Sequence, residues 1–283
     1  MIITDAQVHI WLQDSPERPW APEGKMYKQT FKGPDAPDSC LPEDMIALMD
    51  EAGVARAVLV PPSFEGDRND LALRAVEQFP DRFAVMGRIA LDDPNSPSAL
   101  ERWPDLPGMR GARFTFHRGP SMTWLSDGTA DWFWAAAERL GLAVYLYPPG
   151  QLDEVARIAA AHTNLRLTID HLGLDTESKD DDVLPHIKEL VGLARFPNVA
   201  VKASGLTGNS AEPYPFPKLH EPIERVVDAF GPHRTFWGSD VTRVPYSYQQ
   251  AIKLFTEELD FLSDADLEWI MGRGVSEWLR WPA

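Results

Sequence analysis

Asp5, Gln7 and His9 occupy every second position of the opening run Met1-Ile2-Ile3-Thr4-Asp5-Ala6-Gln7-Val8-His9-Ile10-Trp11. The β-branched and apolar residues between them predict a buried strand, in which alternate side chains share a face. Three polar groups on one such face are costly to bury without partners, so a polar site is expected at the strand's end. A carboxylate closes a second apolar run, Phe236-Trp237-Gly238-Ser239-Asp240, and an imidazole closes a third, Thr168-Ile169-Asp170-His171. Imidazoles and a carboxylate at the ends of separate strands can take up and return the protons of a hydrolysis. Each also has a plainer reading, Asp240 as a helix cap and His171 as a hydrogen-bonded structural residue.

Cations and hydroxyls recur at similar places. Lys202, near the end of Val199-Ala200-Val201-Lys202-Ala203-Ser204-Gly205, could hold a substrate carboxylate or an oxyanion, or pair with Asp170, and both readings stay open. Arg113, in Gly111-Ala112-Arg113-Phe114, offers a planar guanidinium suited to a carboxylate, with Arg88, His117 and Arg118 as secondary candidates of the same kind. Tyr147, at the end of residues 143–147 (AVYLY), can donate to a carbonyl or carboxylate but is seldom a zinc ligand. Trp11 and Trp124, in loops after strands, are placed to line a pocket.

The elements that must position these residues alternate along the chain. Leu41-Pro42-Glu43-Asp44 starts a helix with proline in its first turn, acids at its positive end and a stop at Gly53, and residues 55–60 (ARAVLV) form the next strand. Further strands are predicted at 83–89, 110–116, 143–147, 165–170, 199–203 and 235–237, each preceded by a helical stretch. Short apolar strands alternating with helices imply a parallel sheet covered on both faces. Eight such units, without a Gly-x-Gly-x-x-Gly or Walker-type loop, predict one α/β domain over residues 1–283, a (β/α)8 TIM barrel. In that fold, polar residues at the C-terminal strand ends read as catalytic. Residues 13–40, rich in proline, glycine and charge, read either as a long loop folded over the mouth of the site, anchored by Trp11, Trp20, Tyr27 and Phe31, or as a decorated loop with no such role.

The charge balance narrows the partners. Forty-three acidic against 27 basic residues give a net charge of -16, which excludes a general attraction to nucleic acid or an anionic membrane surface. An acidic substrate would need a few cations focused in a pocket. One cysteine, Cys40, allows neither an internal disulfide nor a multi-cysteine metal site and reads as a surface or loop thiol. No secretory leader or long apolar run is legible, so the cytoplasm is the default compartment. The acidic surface and many aromatics permit a homodimer.

Taken in order, Gln7-Val8-His9, Gly111-Ala112-Arg113, Asp170-His171-Leu172-Gly173, Lys202-Ala203-Ser204-Gly205 and Gly238-Ser239-Asp240 resemble motifs of the amidohydrolase superfamily, in particular its amidohydrolase-2 branch of lactonases and decarboxylases. The first barrel strand of that family typically ends in His-x-His, and metal-dependent relatives carry a metal-binding histidine on strand five. Here Gln7 and Tyr147 stand in those places. The resemblance therefore implies no metal cofactor, with a single divalent zinc or manganese ion as the alternative. It implies a hydrolase that opens a lactone of a sugar acid or an aromatic-catabolism intermediate. Asp240 would activate water, His171, His9 and Lys202 would hold the oxyanion, and Arg113, Tyr147, Gln7 and Trp11 would contact this small-molecule lactone or carboxylic acid. The alternatives are a metal-dependent hydrolase, a non-oxidative aromatic-acid decarboxylase, or a binding barrel without catalysis.

Overall fold

The computed structural model describes residues 1–21 and 37–282. Its eight strands, β1 (Thr4–Val8), β2 (Arg56–Leu59), β3 (Phe83–Gly87), β4 (Met109–Thr115), β5 (Ala143–Tyr147), β6 (Leu167–Ile169), β7 (Val199–Ser204) and β8 (Thr235–Gly238), follow one another in sequence order. Every paired neighbour runs parallel. The helices between them include α1 (Pro42–Ala52), α2 (Asp70–Gln78), α3 (Ser96–Leu100), α4 (Asp131–Leu140), α5 (Leu152–Ala161), α6 (Val183–Leu190), α7 (His220–Phe230) and α8 (Tyr248–Lys253). This is a single-domain (β/α)8 TIM barrel. Helix α1 shows how directly the sequence dictates its elements: Pro42 opens it, Glu43 and Asp44 lie in its first turn, Met45 and Met49 are buried, and Gly53 ends it at φ 76°.

Two apolar shells hold the barrel. Ala6, Val58, Ala84, Met86, Tyr145 and Phe236 pack inside it, while Val8, Leu59, Val85, Phe114 and Leu146 belong to the larger core shared with the helices. Alternate residues of β2, β3 and β5 thus face opposite ways, as the pleat requires.

The seam between β8 and β1 is made differently from the other strand pairs. The Asp240 N–H donates to Gln7 O at 3.0 Å, and the Ser239 N–H donates to the Asp5 carboxylate at 2.9 Å. Gly238 is required there, since a Cβ would stand 2.9 Å from the Ser204 side chain and 3.1 Å from that of Gln7.

This seam corrects one expectation. Asp5 does not share a face with Gln7 and His9, because the β1–β2 register shifts between Asp5 and Val8. The Asp5 carboxylate accepts from the backbone of Gln7 and Ser239 and from the Tyr248 hydroxyl on α8, whereas the Gln7 and His9 side chains contact each other. A bulge of this kind turns one residue out of the strand's alternation.

Of the long segment 13–40, residues 22–36, with Tyr27 and Phe31, lie outside the described residues, and so does the expectation that they cover the mouth. Trp11 and Trp20 pack on Phe64, at centroid distances of 6.1 and 4.5 Å, and Arg18 is bonded to Glu65 and Asp70. Cys40 is a buried loop thiol, its backbone paired with that of Trp11. No described helix is long and apolar enough to cross a membrane.

Candidate active site

Three chain segments far apart in sequence meet at the C-terminal end of the barrel. His9 follows β1, His171 follows β6 and Asp240 follows β8. His9 Nε2 stands 3.1 Å from Asp240 Oδ1. His171 and Asp240 line one cavity of about 180 Å³ with Tyr147, Gly205, Asn209 and Arg243. A larger cleft of about 740 Å³, lined by Ile2, Arg56, Arg273 and Trp281, holds none of the candidate residues.

The backbone at the site departs from its preferred conformations. His171 has φ 53°, Leu172 φ 54° and Asp240 φ 52°. Left-handed conformations of non-glycine residues are held only where the surroundings over-determine them, and they gather at functional sites. The His171 turn is fixed by His186 Nε2, 2.7 Å from Leu172 O, so His186 supports the site from behind. Gly205, at φ +64°, lets β7 approach: a Cβ there would lie 3.2 Å from Asp240 Oδ2 and 3.5 Å from His171 Nδ1.

Hydrogen-bond partners assign the imidazole protons. His171 Nδ1 is 3.0 Å from both Ser204 O and Ser204 Oγ; the carbonyl only accepts and the hydroxyl can accept too, which favours the proton on Nδ1 and a lone pair on Nε2. That Nε2 is buried without a partner. Burial pushes the His171 pKa down to about 4 against the pull of Asp240 and Asp170, so the ring is neutral near pH 7. His9 Nδ1, 2.6 Å from Val60 O, is a donor by the same reasoning. His9 Nε2 stands between an amide and a carboxylate, 3.1 Å from Gln7 Nε2 and 3.1 Å from Asp240 Oδ1. A proton on it is received by Asp240, and its lone pair is met by the Gln7 amide.

Asp240 is 3% exposed. Burial would raise its pKa, but the Arg243 guanidinium, 3.7 Å from Oδ2, and the contact with His9 more than offset it and hold the carboxyl well below its usual range. Sequence reasoning missed Arg243; its signal is a cation three residues after a strand-end carboxylate. Tyr147 lines the cavity, donates to Leu174 O at 2.7 Å, and has its pKa raised to about 12 by burial.

The other candidates form a second cluster, and none of them lines this cavity. Lys202 Nζ lies 2.8 Å from Asp170 Oδ1, 2.5 Å from Gln7 Oε1 and 3.8 Å from the Tyr145 ring centroid. Arg113 Nε donates to Asp170 Oδ2 at 2.9 Å. Of the two readings left open for Lys202, the ion pair with Asp170 is the one present. Burial lowers the Lys202 pKa to about 8 despite Asp170, while the two cations hold Asp170 below its ordinary value against its own burial. Trp11, 2% exposed and packed on Phe64, stands apart from the cavity.

These donors do not fit a catalytic zinc centre. Such a centre takes three protein ligands, and among the described residues no group of three His, Cys, Asp or Glu side chains is placed to hold a metal ion. Gln7 turns an N–H toward His9 and its oxygen toward Lys202, and the Tyr147 hydroxyl is committed to Leu174 O.

The chain belongs to the amidohydrolase family, whose model matches residues 4–273, and that membership with its lactonase-type relatives makes it a hydrolase. It is 28% identical over 242 residues to an L-fucono-1,5-lactonase of Burkholderia ambifaria, covering 83% of this chain and 79% of that protein. It is 28% identical over 221 residues to a 4-sulfomuconolactone hydrolase of Rhizobium radiobacter, covering 75% and 68%. In fold it is similar to a zinc-bound amidohydrolase of Burkholderia multivorans, with a TM-score of 0.81 at 20% identity and 100% of both chains covered. It is similar also to a probable 2-pyrone-4,6-dicarboxylic acid hydrolase of Acinetobacter baumannii, with a TM-score of 0.75 at 21% identity, covering 99% of this chain and all of that one.

Proposed function

We propose that the protein opens a lactone with water activated by Asp240 and without a metal ion. The observation that carries this reading is a cavity at which His171 Nε2 is buried without a hydrogen-bond partner among the described residues beside the Asp240 carboxylate, whose Oδ1 has His9 Nε2 at 3.1 Å. A water between them would donate one proton to each and turn its lone pair toward a carbonyl carbon. As the water oxygen bonds to that carbon, its proton passes to Asp240, and His9 Nε2 is in reach to share it. The electron pair of the carbonyl moves to its oxygen. Arg243 is the cation at the cavity positioned to stabilise that oxyanion, a role with which preorganised donors contribute about 3 kcal/mol.

Collapse of the intermediate breaks the bond to the ring oxygen, which takes the proton and leaves as a hydroxyl. The product is an open-chain hydroxy acid. This reading reassigns two expected roles: His171, with its lone pair toward the cavity, orients the water rather than the oxyanion, and Lys202 acts from behind the site by holding Gln7 and Asp170. The lactonase names of the relatives at 28% identity agree with the reaction.

The test is a panel of γ- and δ-lactones followed with a pH indicator, using enzyme dialysed against chelator and an Asp240→Asn variant. The dialysed enzyme should keep its rate, and the variant should lose about 10²- to 10⁴-fold in kcat. Activity that vanishes with chelator and returns with zinc or manganese would overturn metal independence, and an unimpaired variant would overturn the role of Asp240.

A further inference from the structure

The cations around the barrel mouth are not all neutralised. Asp170 serves both Lys202 and Arg113, so that group carries two positive charges against one negative. Arg88 adds a third cation beside them. It follows β3 two residues after Met86, which packs inside the barrel as Ala84 does, so the alternation of the strand points Arg88 inward. Its side chain is 12% exposed, and its Nε and Nη1 are buried with no hydrogen-bond partner. The Asp67 carboxylate is 3.6 Å from Nε and is itself 43% exposed.

The backbone of Arg88 is clamped. The Asn69 side chain accepts from the Arg88 N–H at 2.7 Å and donates to its carbonyl at 2.8 Å. Burial, together with the neighbouring Arg113, lowers the guanidinium pKa to about 10, so it remains charged at neutral pH. A fixed, buried guanidinium whose Nε and Nη1 make no hydrogen bond, with the Asp67 carboxylate no closer than 3.6 Å to Nε, is unfavourable in the empty protein and is what a carboxylate would satisfy with two parallel hydrogen bonds.

We infer that Arg88, positioned by Asn69, is a specificity residue that binds a carboxylate carried by the substrate, so that the preferred substrate is an anionic lactone rather than a neutral sugar lactone. The inference rests on the lactonase reading for its reaction but not for its binding site. The local surplus of positive charge is what gives an anion a place in a chain of net charge -16.

Two measurements test it on wild-type, Arg88→Met and Arg88→Lys proteins. In the first, kcat/KM is compared for a carboxymethyl-substituted γ-lactone and the matched primary amide. The wild type should prefer the acid by about 100-fold, Arg88→Met should lose that preference mainly through KM, and Arg88→Lys should recover part of it. In the second, calorimetry measures binding of benzoate and benzamide, which need no turnover. The wild type should bind benzoate about tenfold tighter or more, and Arg88→Met should abolish the difference.

Anion-selective binding that Arg88→Met abolishes, with neither lactone opened, would leave the subsite standing and remove the lactonase reading. Lactones opened without preference for the acid, or a preference unchanged in Arg88→Met, would overturn the subsite and leave the reaction. The unliganded Arg88→Met protein should melt no lower than wild type, since the lost charge had no hydrogen-bond partner on Nε or Nη1. A melting point lower by several degrees would make Arg88 a structural cation and overturn the proposal.

Discussion

Asp170 and Asp240 both follow apolar strands of the same barrel, both are buried, and both are held below the ordinary carboxylate pKa, yet their surroundings differ. Asp170 is enclosed by Lys202 and Arg113 and does not line the cavity at Asp240. Asp240 lies against His9 and Arg243 and forms part of the cavity wall. The first arrangement is a closed ion cluster that braces the interior. The second is an open one that can still take a proton. The difference teaches that a depressed carboxylate alone marks no active site; its place on a cavity wall is what distinguishes Asp240.

The contrast can be broken most directly at Asp170. Asp170→Asn leaves two buried cations without their counter-ion and should destabilise the protein by about 3–5 kcal/mol in urea unfolding. Asp240→Asn should lose at most about 1–2 kcal/mol, because asparagine tolerates a left-handed backbone and cavity water can meet its amide. Equal losses would show that the two sites are not different in kind.

A third buried aspartate sharpens the comparison, since Asp5 has no cationic partner. Burial, opposed by its hydrogen bonds to Ser239, Tyr248 and Gln7, raises its pKa from 3.8 to about 6. Raised in the folded state, it contributes stability that is fully present below about pH 3.8 and lost as pH rises through about 6, on the order of 3 kcal/mol in all. Asp5→Asn should flatten that part of the stability profile, read from melting temperatures between pH 4 and 7. An unchanged slope would reassign it to other groups.

A smaller effect is expected at Gly205, where alanine would strain a backbone at φ +64° and press on Asp240 and His171. Gly205→Ala should cost about 1–2 kcal/mol of stability and about tenfold in kcat. A variant that loses stability without activity would detach the β7 turn from the site. The smallest effect concerns His171, whose lone pair must stay free. With its pKa near 4, kcat/KM should change by less than about twofold between pH 7 and 5 and fall only below about pH 4. An acid limb near 6.5 would mean that a solvated imidazole governs the rate.

The fold was largely legible because strand and helix signals here are local. Val144, Leu146 and Ile169 belong to the core shared with the helices, and Met45, Met49 and Gly53 follow the helical period and its stop. The meeting of His9, His171 and Asp240 was legible through the rule that strand ends share one face of a barrel. The separation of Lys202 and Arg113 from the cavity was not, because two candidate cations at strand ends look alike until the position of Asp170 between them is known. Nor was the outward turn of Asp5, since a bulge breaks the period of two on which the reading of residues 5, 7 and 9 relied.

What the sequence determined by itself was the alternation of elements, the strand ends on which polar groups stand, and the presence of Gln7 and Tyr147 at places where the resemblance to the family implies histidines. Only the tertiary structure decided the Nδ1 protons of His9 and His171, the pairing of Lys202, the place of Arg243 and the Arg88 guanidinium whose Nε and Nη1 make no hydrogen bond. The physical reason is range. Periodicity and capping act within a few residues, whereas hydrogen-bond partners and burial depend on segments brought together from opposite ends of the chain.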